Sequence, residues 1–583
     1  KTIAFNNPQT AGDLLAQTGN VFLQQSQLGG GSPVLRGFEA NKVLLVIDGV
    51  RMNNAVYRGG HLQNVITLDP NVMDRVEVSY GPGSVMYGSD AFGGVMSFYT
   101  KNPTLSADGF KVSGTGFTRF STANMEKSVN ATVNFGLSKL AFLTSFTFKD
   151  FDDLRSGNVR NPLIEDYWKR PEYQDRINDK DSVVKNDDHN LQVGSAYSQM
   201  DFMQKVLYQA SETMKFIANF QFSTSSDIPR YDRLTQYKNG TLRYGEWYYG
   251  PQTRIFGSLR AEIEKEGKIF DAMYVTAAYQ HILESRHDRS FGKDVINHRN
   301  ETVDVMSLNI DATKNFNDDK NSLHYGIEAV LNKVTSEAEG EDIKTGTKSV
   351  ITTRYPNGGS DMNSFAAYLT HSWALSPKVI LTQGVRFNNV SLDAKFVNNE
   401  AIKFPFNDAT QSNTALNGSF GVVFRPHETW KIALLGSSGF RSPNVDDLGK
   451  VFDSAPGAVV VPNKEIKPEY VYNGELTISK LIQNCVRLEA TGFYTVFNDA
   501  ILIRPYTFNG KDSVEYDGTM SKVFANVNVQ DAYLYGFQGN LLAQVTPKFS
   551  IISGVTYTYG RAKTDSTDVP LDHVPPMYGQ TTF

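Results

Sequence analysis

Lys215-Phe-Ile-Ala-Asn-Phe-Gln-Phe222 puts Phe216, Ala218, Phe220 and Phe222 on one face of an extended chain and Lys215, Ile217, Asn219 and Gln221 on the other. Side chains of a strand alternate between its two faces, so this stretch reads as a strand dividing an apolar from a more polar surrounding. Phe110–Phe120, Phe365–Trp373, Val379–Phe387 and Ser419–Phe424 repeat the pattern, rich in aromatic and β-branched residues, and helical periodicity is essentially missing after about residue 108. Very short connections separate paired strands: Gly136–Lys139, Ser211–Thr213, Ser376–Lys378, Pro426–Thr429 and Thr546–Lys548. Long polar segments alternate with them, at Phe151–Asn190, Ser225–Gln252, Ser336–Met362 and Asn444–Glu469. Short turns at one end and long loops at the other predict a transmembrane antiparallel β-barrel. A soluble propeller would also supply many short strands, but no motif recurs at a fixed period of about 40 to 50 residues.

Composition permits this reading. The chain has 583 residues, 12% aromatic and 20% charged, with a formal net charge of −5. No apolar run reaches about 18 residues, which excludes a transmembrane helix. The mean hydropathy of −0.35 is compatible with a barrel, because lipid-facing and lumen-facing residues average out along each strand. The balanced charge gives no reason to expect nucleic acid as a partner. Cys485, the single cysteine, excludes an intramolecular disulfide and a cysteine-rich metal site, and reads as a small apolar strand residue. No Gly-x-Ser-x-Gly elbow, His-Glu-x-x-His or phosphate-binding loop occurs, so the chain is not expected to be an enzyme. Lys1 is not an initiator methionine and no signal peptide precedes it, so export is read from the rest of the chain.

Residues 1–105 have another character. Thr10–Thr18 reads as a short helix with Thr10 as N-cap and Asp13 on its first turn. Lys42–Gly49 is an apolar strand ending in the Asp48-Gly49 turn, Asp74–Tyr80 is another strand, and Gly81–Gly94 is glycine-dense. This part is a small α+β domain, and residues 106–583 form the barrel. About 17 or 18 strands can be counted, the last beginning near Met577. Since bacterial barrels close on even counts, the C-terminus is expected to lack further strands, about four of them.

Residues 33–100 resemble the plug domain of TonB-dependent outer-membrane receptors. The resemblance rests on Val34-Leu-Arg-Gly37, Val46-Ile-Asp-Gly-Val50, Asp74-Arg-Val-Glu-Val78, Gly81-Pro-Gly-Ser-Val-Met-Tyr-Gly88 and Ala91-Phe-Gly-Gly-Val95 in that order and spacing. It implies a barrel of 22 strands in the complete family member, with the N-terminal domain inside its lumen, in the outer membrane of a Gram-negative bacterium. Glycines 81, 83, 88, 93 and 94 suit tight turns and close backbone packing in a crowded lumen, and Gly37 and Gly49 count with them as plug-structure residues. Arg36, Asp48, Arg75 and Glu77 are expected to find partners in one another or in the wall. The family partner is the TonB complex of the inner membrane, which grips a segment preceding the plug.

The ligand is also read by resemblance. Tyr57-Arg-Gly-Gly-His-Leu-Gln-Asn64 ahead of Leu68-Asp-Pro70 is similar to the haem and haemoglobin receptor branch, where a histidine in this context binds haem iron. Tyr57, Arg58 and His61 are therefore candidate ligand residues, with His61 the iron ligand. Phe440-Arg-Ser-Pro443 and Asn463, within Val461–Glu469, resemble barrel motifs of the same branch, as do Ile228–Leu234 and Glu246–Gln252. Asn444–Val460 holds no His, Tyr, Met or Cys where that branch usually places a second histidine. His281, His287 and His298, around another loop, are candidates to replace it. The resemblance implies import of haem from haemoglobin or a haemophore, as transported ligand and not as resident cofactor. A haem-carrier protein or surface lipoprotein is a possible partner, beside outer-membrane lipid. A ferric siderophore or cobalamin is the alternative ligand.

Overall fold

The computed structural model describes every residue except 1, 18, 26, 59–63, 160, 161, 165, 318, 319, 398–403, 405, 456, 517, 518, 564–567 and 572. Among the described residues, eighteen wall strands from Lys111–Ser121 to Tyr578–Thr582 form one closed sheet, each antiparallel to its neighbour in sequence. The opening stretch lies in the strand Met214–Ser225, where Phe220 faces Gln204 on one side and Gly257 on the other. Its alternation is physical: Ile217 and Asn219 are buried toward the lumen, whereas Phe220 is exposed outward. The same division recurs on Val379–Lys395, with Arg386 and Asn388 buried inward and Val385 and Phe387 outward. Phe365, Leu369 and Trp373 line the outer face of Ser360–Ser376. An apolar band outside and polar side chains inside suit a wall between lipid and a filled lumen. The first wall strand, Lys111–Ser121, is exposed on both faces along most of its length.

The five short connections are turns as expected, and Glu264–Ala272, Phe316–Asn321 and Ile482–Val486 join them at the same end. The long segments are more ordered than their composition suggested. Within them, Glu172–Ile177 pairs with Lys180–Lys185, and Tyr244–Tyr249 pairs with the wall strand Ala272–Ser290. Ser336–Met362 is partly wall, since Asn321–Asp342 continues far beyond the span of its neighbours' outward apolar residues. Cross-strand backbone pairing supplies what polar composition alone concealed.

Inside the lumen, the helix Ala11–Ala16 starts at Thr10, whose hydroxyl caps Asp13 N while Asp13 caps the Thr10 backbone. Val43–Ile47 lies parallel to Gly94–Thr100, with Val50–Arg51 and Met73–Tyr80 completing a four-stranded sheet. Burial on both faces explains the unbroken apolar run of Val43–Ile47. Leu45, Phe92, Met96 and Phe98 share one core with Phe256, Phe493, Phe497 and Leu534 of the wall. The domain is thus packed onto the barrel as well as into it. Gly88 sits at φ +79, and a Cβ there would stand 2.8 Å from Nη2 of the wall's Arg386, so glycine permits that approach. The plug sheet ends at Thr100 and the wall begins at Lys111.

Candidate ligand site

Above the plug, on the side of the long loops, a group of buried charged side chains converges from six segments. Arg58 comes from the plug immediately before residues 59–63, and its Nη1 lies 3.4 Å from Glu284 Oε2. Arg286, two residues along the same wall strand, donates to Glu301 Oε2 at 2.6 Å. Arg286 Nη2 is 3.5 Å from Glu284 Oε2, yet it is buried without a hydrogen-bond partner, as is Glu301 Oε1. From the loop after Asp342, Arg354 reaches Asp446 at 3.3 Å, and the Tyr355 hydroxyl donates to the same carboxylate at 3.0 Å. Lys450 holds the other oxygen of Asp446 at 2.8 Å. Arg230 pairs with Asp232 at 2.6 Å, donates to the Tyr249 hydroxyl, and lies 5.3 Å from the Trp247 and Tyr249 ring centroids.

Five cations, Arg58, Arg230, Arg286, Arg354 and Lys450, thus meet four carboxylates, Asp232, Glu284, Glu301 and Asp446. A buried charge persists only with partners, and among these described residues the cations outnumber the carboxylates by one. The electrostatic consequence is read at Tyr249. Burial alone would push its phenol up, but Arg230, Arg58, Arg286 and Arg354 outweigh that and pull it down to about 8. Burial likewise opposes ionisation of Asp446, and Lys450 and Arg354 overcome it, holding the carboxyl below its ordinary range. Such a cluster favours any ligand bringing negative charge, and Tyr249, Trp247 and Tyr355 offer aromatic surface beside it.

Of the residues singled out by sequence, Arg58 joins this site; Tyr57 is buried in the core shared by plug and wall, and its carbonyl accepts from Asn444 Nδ2. His61 lies outside the described residues. Phe440-Arg-Ser-Pro443 is placed lower, against the plug. Arg441 is buried between Asp447, at 2.5 Å, and Glu469; Phe440 packs on Tyr470 at 5.6 Å between centroids. Ser442 accepts from Asn413 at 3.0 Å and its backbone N donates to Ser89 Oγ at 3.3 Å; Pro443 is buried beside it. Asn463 Nδ2 is committed to the Asn526 carbonyl at 2.8 Å. The neighbouring helix Val445–Gly449 docks on the plug through Val445 N and Ala55 O and contributes Asp446 to the site. Glu284 and Arg286 face the lumen, so period-two alternation turns His281 and His287 to the outer face of that strand, and His298 pairs with His287 there.

The plug residues divide. Arg36 is buried on Glu475 at 2.5 Å and Gln538 at 2.8 Å, with Phe493 and Tyr80 rings against it. Asp48 accepts from Thr100 N, Asn219 and Lys205. Gly81 N donates to Gly93 O, and Gly93 N to Lys42 O, which ties the glycine-dense turn to the sheet. Arg75 and Glu77 were expected in a confined space. They pair at 2.7 Å but remain half exposed; Arg75 borders an open cavity of about 480 Å³ near the short-turn end, lined also by Asp48, Lys205 and Arg260. Sequence reasoning missed Glu284, Arg286, Glu301, Arg354, Tyr355 and Asp446. Charged residues at alternate positions 284 and 286 of a wall strand were the one available signal; the loop residues had none.

A strand-walled barrel filled by its own N-terminal domain, with a charged site facing the long loops, defines a class: the plugged receptors of the outer membrane. Residues 87–583 match the family described as TonB dependent receptor-like, beta-barrel, and residues 1–95 match the TonB-dependent Receptor Plug Domain. The chain belongs to the TonB-dependent receptor family and is a protein of the Gram-negative outer membrane. It is 31% identical over 228 residues to the vitamin B12 transporter BtuB of Vibrio vulnificus, covering 38% of this chain and 30% of that one. It is 31% identical over 179 residues to a hemin receptor of Yersinia pestis, covering 27% and 25%. These alignments thus span less than a third of either relative. The solved structure of the copper transporter OprC has the same fold, with a TM-score of 0.77 at 15% identity over 98% of this chain and 82% of that one.

Proposed function

We propose that this chain imports haem across the outer membrane, energised through the TonB complex. The observation that carries the reading is Arg286 Nη2, which among the described residues is buried without a hydrogen-bond partner, beside Glu284 and its partner Arg58, in a cluster where described cations outnumber described carboxylates by one. Haem presents two carboxylates and a flat apolar ring. Guanidinium groups pair with carboxylates in fork geometry, and Trp247 and Tyr249 supply ring surface. His61, three residues beyond Arg58, would add a neutral imidazole to the iron. The similarity to a hemin receptor supports this ligand. Since Arg354–Tyr355 and Val445–Gly449 bury the cluster, entry requires these loops to part, and re-closure would sequester the ligand. A carrier protein or surface lipoprotein could deliver it. TonB, pulling a segment before the plug, would then loosen the plug's contacts with the wall.

The similarity to BtuB favours a second reading, in which a cobalamin or ferric siderophore occupies the same cluster without ligation by His61. The test is a haem titration of the purified protein followed in the Soret band, beside His61→Ala and Arg286→Gln. The haem reading expects a saturable shift, loss of the ligation signature in His61→Ala, and affinity on the order of tenfold weaker in Arg286→Gln. An unshifted wild-type spectrum overturns haem ligation by this chain alone.

A further inference from the structure

On the outer face of the wall, beyond the lipid-facing band, His287 and His298 meet across neighbouring strands. They are register partners in the antiparallel pair Ala272–Ser290 and Val295–Phe316. Their Nδ1 atoms converge to 2.6 Å. Leu283, an exposed apolar residue of the first strand, lies four positions below His287, about 10 Å along a tilted strand. The pair therefore stands above the membrane, where solutes reach it. His287 is buried beneath the Tyr248 ring, 4.6 Å between centroids and stacked at 23°. His298 keeps a partly exposed edge.

What surrounds the two rings decides which atoms are available. Glu341 Oε2 lies 3.8 Å from His298 Nε2, on the side away from His287. A carboxylate behind an imidazole draws its single proton outward and leaves the other nitrogen's lone pair free, as Glu341 does for His298. One proton shared between the two Nδ1 atoms holds them together, and a metal cation can take its place. Glu341 stands where a carboxylate orients a histidine at metal sites.

We propose that His287 and His298 form a chelate for a borderline divalent transition ion of the zinc, nickel or copper class, with Glu341 as the positioning carboxylate. Metal–imidazole bonds of about 2.0–2.1 Å in tetrahedral geometry place two nitrogens roughly 3.3 Å apart, so the rings would open by several tenths of an ångström. Water or a second oxygen donor would complete the coordination. The bound ion would staple the segment Tyr244–Tyr249 to the wall, because Tyr248 covers the pair while Tyr249, next in sequence, lies in the ligand cluster. The inference does not depend on haem being the ligand.

The experiment is calorimetric titration of the purified, detergent-solubilised chain with Zn(II), Ni(II), Cu(II) and Mg(II). His287→Ala, His298→Asn, Glu341→Gln and His281→Ala are titrated beside it, each first shown to keep the gel migration of a folded barrel. The expected result is one Zn(II), Ni(II) or Cu(II) per chain and no Mg(II). Affinity should fall at least tenfold in His287→Ala and in His298→Asn, about tenfold in Glu341→Gln, and remain unchanged in His281→Ala. His281 is the control because it lies on the same outer face but hydrogen bonds Asp304 instead. Absence of a one-to-one ion on the folded chain overturns the proposal. So does retention of the ion in both pair variants, or equal loss in His281→Ala.

Discussion

At the scale of single residues, Tyr249 reports the field of the ligand cluster. Its folded pKa of about 8 lies below the ordinary tyrosine value near 10. A depressed acid contributes stability that is complete above the unfolded pKa and is lost as pH falls through the folded one. The ionised phenol therefore adds stability progressively between about pH 8 and 10 and none below. Ultraviolet difference titration at 295 nm should show one tyrosine ionising near pH 8, absent in Tyr249→Phe. An unchanged titration curve in that variant would mean the four guanidinium groups do not act on this phenol. The same ionisation cancels the excess positive charge, so affinity for an anionic ligand should decline above pH 8.

Among elements, the segment from Ile228 to Tyr249 joins the wall to the ligand cluster. Trp247 is buried with Phe151, Tyr197, Ile228, Leu234 and Tyr244, and meets the Tyr249 ring at 5.0 Å. Truncating a buried tryptophan costs about 3–5 kcal/mol. Trp247→Ala should therefore open this segment and expose Arg230 and Arg233 to trypsin. Cleavage there is expected to accelerate by on the order of 100-fold, read by mass spectrometry of the fragments, when opening is fast relative to cutting. Cleavage at the wild-type rate would show that backbone pairing with Ala272–Ser290, and not the aromatic cluster, holds the segment. Sequence composition labelled this stretch a polar loop, because its order comes from pairing with a strand some 40 residues away.

For the whole molecule, the plug is packed by apolar contact with the wall and pinned by ion pairs such as Arg36–Glu475, Lys42–Glu469 and Arg51–Glu328. Arg386 faces Glu328 and the Met86 carbonyl together, so a wall residue and a plug backbone share one guanidinium. Deleting residues 1–105 should convert a poorly conducting protein into an open pore in planar bilayers. Equal conductance of both forms would show that the plug does not fill the lumen in the membrane. The barrel and its inserted domain were legible in the sequence, because alternation in Lys215–Phe222 and the apolar run Val43–Ile47 are local consequences of which face each side chain meets. Arg58 was legible only by its place in a motif. Its partner Glu284 and the neighbouring Arg286, Arg354 and Asp446 were not, since a charge's partners depend on segments that meet only when the sheet closes. Phe440–Pro443 made the same point in reverse: the motif was visible, but tertiary structure sets its Arg441 against Asp447 and Glu469. Strand, turn and plug follow from neighbours along the chain, whereas the ligand cluster exists only where distant strands and loops bring excess positive charge into one buried volume.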